Sequence, residues 1–263
     1  MKQELLKDYR YVSAGTPPSL VGRTFPSLIF YIRFIRIISQ CASMAKRGEF
    51  GDQQWLEKSW QVVKVLEDVG VRVRVTGMEH VEADGGPCVF IGNHMSFLET
   101  VILPAIILPK PVTFVVKQSL LEYPIFKHVL ASRDPIAVTR TNPRQDLKAV
   151  LDEGVKRLQQ GTSVVVFPQS TRSHVFDPAK MSSIGVKLAR KANVPVVPIA
   201  LKTDALQNGK MLKDFGKVEP SLSIEFAFGA QLTIEDRGNG VQEEVNSFIE
   251  KKLDQWGKEL LSV

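Results

Sequence analysis

The feature that most narrows the fold is a series of short apolar runs, each closed by a glycine, a proline or a charge. Val89-Phe90-Ile91 stops at Gly92. Val112 to Val116 stops at Lys117, Pro135 to Val138 at Thr139-Arg140, and Ser163 to Phe167 at Pro168. Pro195 to Leu201 is a fifth run. Their length and their β-branched and aromatic content predict buried strands. Val71, Val73 and Val75 alternate with Arg72 and Arg74, which predicts a strand half in water, and Leu222 to Phe228 predicts one more. Helical patterns lie between the runs, over Phe97–Leu108, Leu120–Ala131 (interrupted near Pro124), Pro143–Gln160, Met181–Ala192 and Val241–Leu261. Pro104 is expected to end or kink the first of these. Strands that alternate with helices predict an α/β fold: a mixed, largely parallel sheet covered by helices.

Residues 1–24 read as a polar lead-in. Pro26 can then open a helix. Nine of the eleven positions from Leu28 to Ile38 are large and apolar, more than one core-facing stripe requires. Arg33 and Arg36 interrupt the run, so it falls short of the roughly 20 apolar residues of a spanning helix. Arg33, Arg36, Gln40, Ser43 and Arg47 form one narrow polar stripe, as expected of a helix lying in a membrane interface with arginines at headgroup phosphates. The competing reading is a helix packed on the protein's own core. Asp52 to Val69 is a second helix, whose Trp55 and Trp60 suit either an interfacial belt or ordinary packing. The expected organisation is a lead-in and membrane-associated helical hairpin over residues 1–69, followed by an α/β domain over 70–263.

Lys and Arg number 34 against 28 Asp and Glu, a net charge of +6. That favours anionic partners: a phospholipid surface, a phosphorylated substrate, an acidic carrier protein or nucleic acid. No nucleic-acid recognition motif accompanies the charge. Cys41 and Cys88 have no CxxC spacing, which implies neither a zinc site nor a disulfide framework and makes a reducing cytosol the default. The charged opening Met1–Arg10 does not read as a secretory leader.

The chemistry gathers where the runs end. His94 follows the first, in a strand-to-helix turn of the kind that carries ligand sites in open α/β sheets. Ser96 and Glu99 have the spacing of a capping box, and the Glu99 carboxylate can also face His94, fixing its tautomer. Lys117 closes the second run and Arg140 the third; Gln169-Ser170-Thr171-Arg172-Ser173 follows the fourth. Parallel strands would bring these ends to one edge, placing three cations around a histidine base, which suits a phosphate-bearing substrate. Each cation singly reads as well as a solvated strand-end charge. There is no metal-ligand cluster and no GxSxG nucleophile elbow, which argues against a hydrolase.

Four blocks in order make the chain resemble the glycerophospholipid acyltransferase family, most closely its lysophosphatidic acid acyltransferase branch. They are Asn93-His94-Met95-Ser96-Phe97-Leu98-Glu99, the stretch from Lys117 through Pro124 to Arg140, Phe167-Pro168-Gln169-Ser170-Thr171-Arg172-Ser173, and Val194-Pro195-Val196-Val197-Pro198-Ile199. The resemblance spans roughly residues 70–205. It implies transfer of a fatty acyl group from an acyl thioester, on acyl-carrier protein or coenzyme A, to the hydroxyl of a lysophospholipid such as 1-acylglycerol-3-phosphate. It implies His94 as general base with Glu99 as its partner. Lys117, Arg140, Gln169, Ser170, Thr171 and Arg172 become acceptor-site candidates. It further implies a two-helix element that seats the enzyme on the cytoplasmic face of a membrane, and no metal or cofactor. Glu99 stands where the family usually has Asp, Gln169 where it has Glu, and Ser170 where it has Gly. The longer Glu99 requires a compensating rotamer or backbone shift. The altered third block leaves open a different lyso-lipid acceptor, or a non-catalytic membrane-binding relative.

Overall fold

The computed structural model of the chain describes residues 9–14, 17–82, 85–107, 110–124, 126–169, 171–209, 215–235 and 237–261. Strand β1 (Tyr11–Val12) and helices α1 (Leu20–Thr24), α2 (Pro26–Lys46) and α3 (Asp52–Asp68) come first. They are followed by β2 (Val73–Thr76), α4 (Glu79–Glu82), β3 (Val89–Gly92), α5 (Leu98–Ile107) and β4 (Val112–Lys117). A 3₁₀ turn (Gln118–Glu122) leads to α6 (Lys127–Ala131), β5 (Ile136–Val138), α7 (Pro143–Gln159) and β6 (Ser163–Val166). The last elements are α8 (Ile184–Ala192), β7 (Val196–Lys202), β8 (Ile224–Phe228) and α9 (Asn239–Leu261).

The strands form one sheet in the order β1-β2-β8-β7-β3-β6-β4-β5. β3 is parallel to both β6 and β7, and β4 is parallel to β6 and β5. Five strands therefore share a direction, and their carboxyl ends lie along one edge. β8 is antiparallel to β7 and parallel to β2, and β1 is antiparallel to β2, so the sheet is mixed.

The period of two along each strand divides the core. Phe90, Val165, Val197 and Phe226 face one side, where they pack with α2, α3 and α5. Val89, Ile91, Val164, Val166 and Val196 face the other, against α7, α8 and α9 through Val150, Leu188 and Val245. Packing runs across the change of structure near residue 70. Phe30, Phe34, Trp60 and Leu66 of α2 and α3 belong to the same buried cluster as Phe90 and Leu103.

Several local expectations are corrected. The lead-in contributes β1 and α1. α5 continues past Pro104 to Ile107, because the helix is buried on nearly every side and packing outweighs one missing backbone hydrogen bond. Its expected last residue, Leu108, lies outside the described residues. The stretch 120–131 is interrupted around Pro124 as expected, its first part being a 3₁₀ turn, while α8 begins at Ile184, not Met181.

Candidate active site

β3 ends at Gly92, and the Asn93 side chain extends its pairing. Nδ2 donates to the Leu201 carbonyl at 2.7 Å and Oδ1 accepts from the Leu201 N–H at 2.8 Å. One amide thus replaces a ladder pair and fixes the next turn against the end of β7. The His94 backbone is held on both sides: its N–H donates to Gln169 Oε1 at 2.6 Å, and its carbonyl accepts from the Ser173 N–H at 2.9 Å. The loop after β6 is thereby tied to the histidine turn.

The His94 ring meets Glu99 through Nδ1 and Oε2. Glu99 is fully buried. Its other oxygen, Oε1, accepts from the Met95 N–H at 2.9 Å, the Ser96 N–H at 2.7 Å and the Thr203 hydroxyl. With Oε1 taken up by three donors, Oε2 is the oxygen left to accept from the ring, which assigns the imidazole proton to Nδ1 and the lone pair to Nε2. Phe167 stacks on the ring, centroids 4.7 Å apart and planes within 4°. His94 keeps a residue-level exposure of 8 %.

The cap expected from Ser96 and Glu99 is half as written. Glu99 reaches back to the Ser96 N–H, but Ser96 Oγ accepts from Leu98 N–H at 3.2 Å and donates to Thr203 at 2.9 Å. The longer side chain is accommodated because α5 starts at Leu98, which puts Glu99 in its first turn with the carboxylate folded back over the histidine turn.

The cationic candidates divide. Arg140 and Arg172 come together. Arg140 sits after β5 in a left-handed conformation (φ 61°), secured by its backbone N–H donating to Asp146 Oδ2 at 2.7 Å. Its guanidinium is held below the ordinary arginine range, first by desolvation and then by repulsion from Arg172, with Asp146 opposing. The residue as a whole is exposed, so that desolvation is local to the guanidinium and the group stays charged. Two like charges kept this close make the spot favourable for an anion. Lys117 is exposed at the end of β4, the strand that lies between those preceding Arg172 and Arg140. Thr171 is exposed. Gln169 is buried, with its Oε1 accepting from the His94 backbone N–H. Ser170 lies outside the described residues.

An apolar cavity of about 120 Å³ lies between α2 and α3 and the sheet. Ile37, Trp55, Val62, Phe97 and Phe114 line it, and Arg172 borders it. Phe114 lies 6.5 Å from Phe167, the ring that stacks on His94. Cys41 also lines it, and burial pushes its thiol up to about 11. Among the described residues no group of three or more His, Cys, Asp or Glu could hold a metal.

Two site residues escaped the sequence reading. Thr203 stands two positions beyond Leu201, the last residue of the apolar run that marks the strand in the sequence. Asn208, which donates to the Met95 carbonyl at 3.1 Å, follows a loop with no pattern to mark it.

Residues 72–202 match the family model described as Acyltransferase. A 1-acyl-sn-glycerol-3-phosphate acyltransferase of Pseudomonas aeruginosa is 30% identical over 216 residues, covering 82% of this chain and 78% of that protein. The chain belongs to the acyltransferase family. A 1-acyl-sn-glycerol-3-phosphate acyltransferase of Bacillus subtilis is 28% identical over 73% of this chain and 96% of its own length. A chloroplastic relative from Brassica napus is matched over only 41% of its length. The fold is that of the crystal structure of the 1-acyl-sn-glycerophosphate (LPA) acyltransferase PlsC from Thermotoga maritima. The TM-score is 0.67 at 16% identity, over 89% of this chain and 96% of that one.

Proposed function

We propose that this acyltransferase moves a fatty acyl group from an acyl thioester, carried by acyl-carrier protein or coenzyme A, to the free hydroxyl of 1-acylglycerol-3-phosphate, giving phosphatidic acid. The observation that carries the reading is a histidine with its Nδ1 proton committed to a buried carboxylate, on the same sheet edge as a paired-arginine site, with an apolar cavity beside it. Nε2 takes the proton of the acceptor hydroxyl as its oxygen attacks the thioester carbonyl. The C–O bond forms, the C–S bond breaks, and the imidazolium returns the proton to the departing thiolate. Glu99 stabilises the imidazolium meanwhile. Arg140 and Arg172 hold the acceptor phosphate, and the cavity takes an acyl chain.

The reading also places the enzyme on a membrane. Against the expectation from the apolar run alone, α2 as a whole (Pro26–Lys46) is long and apolar enough to cross one by length and composition. Phe30, Phe34, Ile37, Ile38 and Cys41 are buried on the core, while Leu28, Ile32 and Ile35 are exposed, as are Val21 and Phe25 just before them. The three- and four-residue spacing of Leu28, Ile32 and Ile35 makes one stripe on α2. An exposed apolar stripe on α2, with Arg33 and Arg36 alongside and more exposed apolar residues just before it, fits the acyl–headgroup boundary of a cytoplasmic leaflet.

The test offers the purified protein acyl-carrier-protein and coenzyme A thioesters with lysophosphatidic acid and with headgroup-bearing lyso-lipids, identifying products by mass spectrometry. Phosphatidic acid as the main product is expected. Turnover only on a headgroup-bearing lyso-lipid would refute the acceptor assignment, and no turnover on any acceptor would refute the reaction.

A further inference from the structure

Thr203 is fully buried one residue beyond β7, in the turn that the Asn93–Leu201 pairing presses against the histidine turn. Its hydroxyl has two neighbours with fixed roles. Ser96 Oγ already accepts from Leu98 N–H, so its own hydrogen is available to Thr203 Oγ1, 2.9 Å away. Thr203 then has one hydrogen left, and it points to Glu99 Oε1. The three groups make a one-way chain of hydrogen bonds from the α5 amino terminus to the carboxylate.

We infer that Thr203 is a positioning residue, whose hydroxyl completes a three-donor cradle on Glu99 Oε1 and so leaves Oε2 as the single acceptor for His94 Nδ1. The inference rests on the His94–Glu99 reading above. The backbone N–H groups of Met95 and Ser96 come from one side of Oε1, and both belong to the turn that Glu99 itself caps. Thr203 is the donor that comes from another strand. It therefore relates the carboxylate to the sheet and not only to its own turn. Glu has one more rotatable bond than Asp, and an anchor from outside the turn is what removes that freedom.

The test compares Thr203→Ala with Thr203→Ser, which differ from each other only by the hydroxyl. Glu99→Gln and the double variant Thr203→Ala/Glu99→Gln close a cycle. Steady-state acyl transfer gives kcat and KM for both substrates, thermal melting checks the fold, and proton NMR follows the His94 Nδ1–H resonance. Thr203→Ala is expected to lower kcat by about 10–100-fold with KM little changed, as for a hydrogen bond to a charged group. Thr203→Ser should restore most of it, and the NMR line should shift in Thr203→Ala alone. In the Glu99→Gln background the same replacement should cost little. Equal kcat for Thr203→Ala and Thr203→Ser would overturn the inference, as would an unmoved Nδ1–H line. If Thr203→Ala alone is harmless while Glu99→Gln is inactive, the role of Thr203 fails and the His94–Glu99 pair stands. If Glu99→Gln is itself fully active, the pair fails with it.

Discussion

Replacing Glu99 by Gln should disable the enzyme by changing a tautomer, not by removing a contact. The introduced amide has the size of the carboxylate but two different ends. At the Oε1 position three donors converge, from Met95, Ser96 and Thr203. Only the amide oxygen satisfies them. Turning the amide would set its NH₂ against all three, and each buried group left without a partner costs about 1–3 kcal/mol. Even a total of about 3 kcal/mol leaves under about 1% in that orientation. The NH₂ is thus fixed toward His94 Nδ1, which must then accept. The ring proton moves to Nε2, the atom that should take the acceptor's proton. Loss of a general base costs about 10²–10⁴-fold, and kcat is expected to fall in that range while KM holds. The three donors keep an acceptor, so the melting temperature should barely change. The assay is steady-state acyl transfer beside nitrogen-15 NMR of the imidazole, which reports the protonated nitrogen. A Glu99→Gln enzyme within about threefold of wild type, or one that still carries its proton on Nδ1, would refute the reasoning.

Arg172→Ala or Arg140→Ala should raise KM for the phosphate-bearing acceptor about 10–100-fold and leave KM for the thioester unchanged, measured by varying each substrate in turn. Because burial lifts the Cys41 thiol to about 11 from 9.0, its protonated form favours the fold. The unfolded thiol loses its proton first, so stability from this group is whole below about pH 9 and is lost as the pH rises through about 11. Melting scans over that window should fall less steeply for Cys41→Ala than for wild type. Ile32→Asp puts a charge on the exposed stripe of α2 and should lower vesicle binding by about tenfold or more, with kcat on detergent-dispersed substrate kept. Unchanged sedimentation with liposomes would remove that stripe from the membrane contact.

The sequence made the central sheet legible because its strands are short, apolar and bounded, so pattern and length agreed. The parallel strands followed from the alternation with helices, and they bring the ends of β3, β4, β5 and β6 to one edge as expected, with β7 beside them. β1 could not be read, since two residues carry no period, and its place depends on an open edge of β2. His94 and Glu99 were visible as a motif. The role of Gln169 was not, because a side chain that hydrogen-bonds a backbone N–H from another loop leaves no trace in spacing. Lys117 illustrates the opposite case. It does stand at a strand end, but that β6 separates β4 from β3 and that β5 lies beyond β4 cannot be read from a list of strands. Helix α2 looked too apolar for one core-facing stripe, and it has two apolar faces, one packed and one open.

The most direct measurement is phosphatidic acid formation by wild type and His94→Ala at matched concentration, from lysophosphatidic acid and an acyl thioester, with melting curves to show both are folded. The account predicts steady turnover by wild type and a rate lower by about 10²–10⁴-fold for His94→Ala. Equal rates from the two proteins would contradict it.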